Sequence, residues 1–294
     1  MTHLLLAGIV LAAIGGTLAL TLALANQKFY VFEDPRIAEV QGMLPGVDCG
    51  ACGSPTCRAF AEFTVEGKTS PAKCTVCSPD GIAAIAAHLG VDPGTEEKRV
   101  ARLACAGGSH VSWMRARYEG MKTCRASALV AGGAKGCAWG CLGLGDCARV
   151  CEFGAITMDE NGLPVVDESK CTACRDCVEI CPKALFSIHP VSHRLWVACK
   201  SLQEGEAAEA ECEVACNACG RCAADAPGVV SIVDNLAVVD YTKNHAAARD
   251  AIQRCPTGAI VWIDEKAGPV KGAEAKHITR KSSLPVKPKA NVMG

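Results

Sequence analysis

The longest apolar run in the chain comes first. Leu4 to Ala25, LLLAGIVLAAIGGTLALTLALA, contains no charged residue and is long enough to cross a hydrocarbon layer as one helix. A cleaved secretory signal is the competing reading, since Ala23-Leu24-Ala25 has the small side chains of a cleavage site. Against it, the run is long for a signal core and no Lys or Arg precedes it. A retained anchor over 1–27 is the expectation. The next stretch, NQKFYVFEDPRIAEVQGMLPG, reads as a helix exit and a short amphipathic linker that spaces the first cysteines from the bilayer. Beyond it the apolar runs are short. RAFAEFTVEG has helical spacing and no proline, with Phe60 and Phe63 as packing residues. AITMDENGLPVVD is two short β-rich stretches around an Asn-Gly turn, a hairpin signal.

Composition changes the picture. The 294 residues are 50% hydrophobic but only 4% aromatic, and they include 21 cysteines. Ala, Gly and Cys are poor material for a large core, so bound metal is expected to replace much of it. Cysteines two or three residues apart are badly placed to pair with each other, which sets a disulfide framework aside. A formal net charge of −1 excludes nucleic-acid binding by phosphate neutralisation. Lys28 and Arg36 are the first positive side chains after the apolar run. By the positive-inside rule they leave the body in the cytoplasm, a reducing compartment that suits thiolates. From Lys266 onward seven Lys or Arg face the single acid Glu274, which predicts a disordered basic tail over 266–294, with anionic lipid or an acidic protein as candidate contacts for its charge.

DCGACGSPTC places Cys49, Cys52 and Cys57 at C-x2-C-x4-C, and Cys74 comes after sixteen residues more. Three close ligands and a distant fourth suit an iron–sulfur cluster, where one loop wraps three corners and a return segment supplies the last. Gly50 and Gly53 let that loop bend and bring N–H groups near the sulfurs. A tetrahedral zinc site is the rival. Cys77 makes a second C-x2-C pair with Cys74 and could be either a spare thiol or the fourth ligand.

CTACRDCVEICP is the C-x2-C-x2-C-x3-C-P run of Cys171, Cys174, Cys177 and Cys181, in which the fourth cysteine crosses to a partner cluster. Upstream, Cys141, Cys147 and Cys151 take the first, third and fourth places of a partner run, with Leu144 where the second belongs. Cys137, one helical turn before Cys141, is the natural substitute. Crossing then groups Cys137, Cys141, Cys147 and Cys181 at one site and Cys151, Cys171, Cys174 and Cys177 at another. A repeat comes next. Cys216, Cys219 and Cys222 open it, Ala226-Pro227 stands for Cys-Pro, His245, Ala248 and Ala251 stand for three cysteines, and Cys255-Pro256 closes it. All four lost positions belong to one site. The four kept cysteines, Cys216, Cys219, Cys222 and Cys255, make up the other, and His245 is not expected to ligate. Cys105, Cys124, Cys199 and Cys212 are left to converge on a fifth cluster or to stay as buried thiols. Cys212 could also serve its neighbour, since it precedes Cys216 as Cys137 precedes Cys141.

The predicted architecture is α+β: the anchor 1–27, a small α-rich [4Fe-4S] domain over 28–95, a connecting segment 96–135, a ferredoxin-like module with two clusters over 136–200, a degenerate ferredoxin-like module with one over 201–265, and the tail. An anchor helix, CGACGSPTC with its remote Cys74, and GCLGLGDCARVCEFGAI together resemble the B subunit of the Rnf complex, a membrane ferredoxin:NAD oxidoreductase that pumps sodium ions or protons. The degenerate second module departs from members with two complete modules. The resemblance implies an electron relay in the cytoplasmic membrane. Soluble ferredoxin would dock on the cytoplasmic body, and the other subunits of the complex would couple electron flow to ion movement and NAD reduction. No substrate bond is expected to be made or broken on this chain, which carries no glycine-rich dinucleotide fingerprint. Other readings are a polyferredoxin subunit of a hydrogenase or dehydrogenase, a partner akin to corrinoid iron–sulfur proteins, which share the first cysteine group, and a zinc-organised scaffold.

Overall fold

The computed structural model describes residues 2–29 and 33–287. Helix α1 (Thr2–Phe29) contains the apolar run. Its window Gly8–Phe29 has a mean hydropathy of 2.1 and no buried residue, so length and composition suit a membrane span. Thr17 and Thr21 donate their hydroxyls to the carbonyls of Ala13 and Thr17, which leaves neither group needing water.

The first cysteine group sits in a small helical unit of α2 (Pro35–Met43), α3 (Cys57–Val65), a 3-10 turn (Pro71–Lys73) and α4 (Pro79–Leu89). Each helix start is capped by a side chain: Asp34 accepts from the Arg36 N–H, Thr56 from Ala59 and Ser78 from Gly81. Val40, Leu44, Phe60, Ala61 and Ile85 form its core. Phe60 is buried as expected, whereas Phe63 is 37% exposed.

Next come β1 (Arg99–Leu103), α5 (Cys124–Leu129), α6 (Asp146–Val150), β2 (Ile156–Met158), β3 (Pro164–Val166), α7 (Asp176–Ile180) and β4 (Phe186–Pro190). β2 and β3 are the expected hairpin, paired from Ile156↔Val166 to Met158↔Pro164. β4 finds its partner in β1, with Arg99 opposite Pro190 and Leu103 opposite Phe186. The segment expected only to connect, 96–135, therefore supplies a strand to the first module.

The second module repeats the plan with β5 (Leu195–Val197), α8 (Gly205–Glu211), α9 (Arg221–Asp225), β6 (Val230–Val233), β7 (Leu236–Val239), two 3-10 turns (Tyr241–Ala246 and Arg249–Ile252), β8 (Ile260–Asp264) and β9 (Gly268–Val270). β6 and β7 form its hairpin, turning on Asp234 and Asn235 at φ 47° and 62°, the left-handed pair of a tight hairpin turn. β5, β8 and β9 form the outer sheet. An aromatic joint ties the modules together. The His193 ring stacks on Tyr241 at 4.2 Å between centroids, Trp196 donates its indole N–H to the Leu103 carbonyl, and Tyr241 donates its hydroxyl to the Leu195 carbonyl. Burial pulls the His189 imidazole in this joint down to about 4, so it is neutral at neutral pH.

The basic segment differs from the solvated extension its composition suggests. Residues 268–287 run as β9 and then as a strap across the second module. Glu274 pairs with Arg221, Lys276 with Glu209, Arg280 with Glu213 and Lys287 with Glu211. Ala275 and Leu284 are buried beneath the strap, and the Leu284 N–H donates to the Ser109 carbonyl. Three of its positive charges, on Lys276, Arg280 and Lys287, are met by carboxylates of the same chain, which composition alone cannot reveal. Residues 288–294 of the expected tail lie outside the described residues.

Candidate iron–sulfur sites

Five cavities, each about 320–370 Å³ including its open mouth, are each lined by four cysteines. The first is lined by Cys49, Cys52, Cys57 and Cys74. The second is lined by Cys151, Cys171, Cys174 and Cys177, the third by Cys124, Cys141, Cys147 and Cys181. The fourth draws Cys105, Cys137, Cys199 and Cys212 together, and the fifth Cys216, Cys219, Cys222 and Cys255. Cys77 lines none of them; its Sγ packs beside Gly81 at the head of α4, 2.7 Å from where a Cβ would stand.

Local backbone explains how single loops deliver several thiols. In 141–147, 171–177 and 216–222 the third and fifth residues are left-handed: Gly143 and Gly145 at φ 74° and 76°, Ala173 and Arg175 at 62° and 82°, Ala218 and Gly220 at 57° and 75°. Alanine and arginine are strained in that conformation. Its recurrence marks one cradle built three times. Residues 245–251 contain no positive φ. There His245 and Ala248 face solvent while Ala251 and Ala226 are packed in the core, and the degenerate positions line none of the five thiol-lined cavities.

Cys124 and Cys137 exchange the places expected from sequence. Substitution of Cys137 for the missing second ligand assumes a helix through 137–141. The chain instead makes a turn there, with the Gly140 N–H donating to the Cys137 carbonyl, and Cys137 and Cys141 line different cavities. Cys124 lines the third cavity instead, from the first turn of α5. Asp146 holds it in place, accepting from the Arg125 N–H at 3.2 Å and pairing with Arg149. The leftover cysteines therefore converge as Cys105, Cys137, Cys199 and Cys212, with Cys137 in place of Cys124. Cys212 lines their cavity and not the fifth.

Burial pushes the thiols of Cys141, Cys177, Cys199 and Cys222 up to about 12, and those of Cys147, Cys174 and Cys212 up to about 11. Thiolates in such places need a cation to hold their charge. Backbone N–H groups already point at several sulfurs: Ala101 at Cys171 (3.4 Å), Leu185 at Cys181 (3.5 Å), and Ser201 and Cys216 at Cys199 (3.4 and 3.3 Å). Such contacts stabilise the charge of cluster sulfur and tune its potential. Among the described residues no three His, Cys, Asp or Glu side chains converge tightly enough to hold one metal ion. Four thiols spread around a cavity, with N–H donors behind them, fit a cubane better than a zinc tetrahedron.

Neighbouring cavities touch in a line. The Thr75 hydroxyl, at the first, donates to the Thr172 carbonyl, at the second, at 2.7 Å. The second and third share the core that contains Cys147 and Cys177. The Cys141 N–H of the third donates to Cys105 Sγ of the fourth at 3.4 Å, and the Cys216 N–H of the fifth donates to Cys199 Sγ of the fourth.

An apolar leading helix and a series of thiol-lined cavities on ferredoxin-type loops define a multi-site iron–sulfur electron carrier. Residues 44–76 match the family described as "Putative Fe-S cluster", and residues 136–185 match the 4Fe-4S dicluster domain. The chain is 38% identical to the B subunit of the Na(+)-translocating ferredoxin:NAD(+) oxidoreductase complex of Acetobacterium woodii, over 85% of this chain and 75% of that one. It is 36% identical to the B subunit of the proton-translocating ferredoxin:NAD(+) oxidoreductase complex of Clostridium ljungdahlii, over 87% and 91%. It is 34% identical to the B subunit of the ion-translocating oxidoreductase complex of Methanosarcina acetivorans, over 85% and 95%. The chain belongs to this family, the B subunits of Rnf-type ion-translocating oxidoreductases, and is a [4Fe-4S] electron-transfer subunit of such a complex. The readings as a zinc scaffold, a corrinoid-protein partner or a polyferredoxin of another complex give way to it.

Proposed function

We propose that this subunit takes electrons from reduced soluble ferredoxin and passes them to the membrane and NAD-reducing subunits of its complex, along the line of five cavities. The contact between each cavity and the next carries this reading, because it leaves no gap in the series from Thr75 to Cys216. Twenty of the 21 cysteines serve as ligands in the five groups given above, and Cys77 does not. When bound, each cluster accepts and releases one electron. The residues of this chain bind it, bury it and aim N–H groups at its sulfurs. α1 anchors the subunit in the cytoplasmic membrane, and Lys28 and Arg36 keep its body on the cytoplasmic side. The domain order is anchor, helical one-cluster unit, two-cluster ferredoxin-like module, and one-cluster degenerate module closed by the strap.

Iron and acid-labile sulfide per chain, on protein purified without oxygen, test the ligand set. About twenty irons are expected, four per cubane. About sixteen would remove the fourth cavity from the line, and zinc in place of iron would overturn the relay. Mixing with reduced ferredoxin should bleach the visible absorption of the loaded subunit; no bleaching would remove ferredoxin as donor.

A further inference from the structure

Lys135 is 7% exposed, a rare state for a lysine without a counter-charge. Its ammonium donates to the carbonyls of Gly107 and Cys141, the latter at 2.7 Å. Those carbonyls belong to different walls. Gly107 lines the fourth cavity, where a Cβ on it would stand 3.0 Å from Cys212 Sγ and 3.7 Å from Cys105 Sγ. Cys141 lines the third. Among the described residues no carboxylate lies within salt-bridge distance of the ammonium. The acid of that neighbourhood, Glu211, places its Oε2 in the space that a Cβ on Gly136 would fill and gives its Oε1 to Lys287 at 3.1 Å.

The position is held from several sides. Lys135 bridges Met114 as an isolated β pair, and Arg115 donates its Nε to the Lys135 carbonyl at 3.2 Å. Gly140 leaves room for the stem, since a Cβ there would stand 2.9 Å from Lys135 Cδ. The fold thus brings a positive charge to the junction of two thiol-lined cavities, and among the described residues no carboxylate is close enough to form an ion pair with it.

We propose that Lys135 is the built-in counter-charge of the third and fourth cavities, and that its ammonium raises the reduction potential of both by stabilising the electron each receives. The proposal rests on the five-site reading above. One electron from reduced ferredoxin adds one negative charge at one of these sites. No proton moves with it, and the ammonium keeps its hydrogen bonds to Gly107 and Cys141.

The test uses the full chain, purified without oxygen, in four forms: unmodified, K135M, K135Q and K135R. Iron is counted first, and each form is then titrated with dithionite while its electron paramagnetic resonance signals are tracked. With about twenty irons retained, K135M and K135Q should move the midpoints of two sites to more negative potential and leave three unmoved, and K135R should stay close to the unmodified protein. Unchanged midpoints in K135M and K135Q would overturn the proposal. So would equal loss of iron from all three variants, which would make the side chain a structural clamp. About sixteen irons in the unmodified protein is a separate failure: it would take down the five-site reading first, and the shared counter-charge with it.

Discussion

The two ferredoxin-like modules share one plan, an outer sheet of two or three strands, an inner hairpin and two cysteine-bearing segments, yet one holds two thiol-lined cavities and the other holds one. The difference is concentrated in a single loop. Residues 171–177 turn through left-handed Ala173 and Arg175 and present three cysteines to the second cavity. Their counterparts 245–251 have relaxed into ordinary backbone and 3-10 turns, with Ala247 at φ −67° and Ala248 at φ −126°. Ala226, Ala251 and Ile252 pack there with Val229 and Val239. Loss of the ligands went together with loss of the strained cradle, and the space closed as apolar core. Strain of this kind persists only where something holds it, and in the first module bound metal is what the cradle is shaped to hold.

The sharpest way to break this comparison is to count irons in paired cysteine variants. Cys124→Ala with Cys141→Ala should cost about four irons, because both thiols line one cavity, whereas Cys124→Ala with Cys137→Ala should cost about eight. The reverse, a loss of four from the Cys137/Cys141 pair, would restore the grouping that spacing suggests. A smaller effect is expected from Asp146→Ala, which frees the Arg125 N–H and Arg149 together. It should lower stability by about 1–3 kcal/mol in thermal unfolding and speed iron loss to a chelator from the third cavity alone. Arg280→Ala removes a half-exposed pair with Glu213 from the strap and should cost less than about 1 kcal/mol. A larger loss would mean that the strap, absent from the first module, bears much of the second module's stability. The last test expects no gain: cysteines at Ala226, His245, Ala248 and Ala251 together should leave the iron count at about twenty, since the 245–251 backbone no longer makes the cradle. Four extra irons would show that ligands alone rebuild it.

Spacing made much of this legible, because a cluster loop is a local object. Cys171, Cys174 and Cys177, and likewise Cys216, Cys219 and Cys222, lie within one turn of chain, so their shared cavities can be read from the sequence once the crossing of the fourth cysteine is applied. The hairpin at Asn161 and the helix after Cys57 were legible for the same reason. Cys124 and Cys137 were not. Their placement depends on whether 137–141 is a helix or a turn, and on Asp146 drawing in the start of α5 from residues far back in the chain. The strap was hidden too, since its composition is that of a solvated tail and only the facing carboxylates Glu209, Glu211 and Glu213 show otherwise. Lys135 carried no motif at all; its meaning lies in what surrounds the ammonium.

The fourth cavity takes its cysteines from four separate stretches, at residues 105, 137, 199 and 212. During synthesis the 171–181 run is complete within a few residues, but this site waits until position 212 has left the ribosome. Meanwhile Cys105 and Cys137 stand as open thiols on a growing chain, and closing the loops between them costs more entropy than closing a local cradle. Exposed thiols are the ones oxygen attacks. The most vulnerable moment of this site therefore falls before the protein is finished, and oxygen should harm newly made chains at doses that completed ones survive.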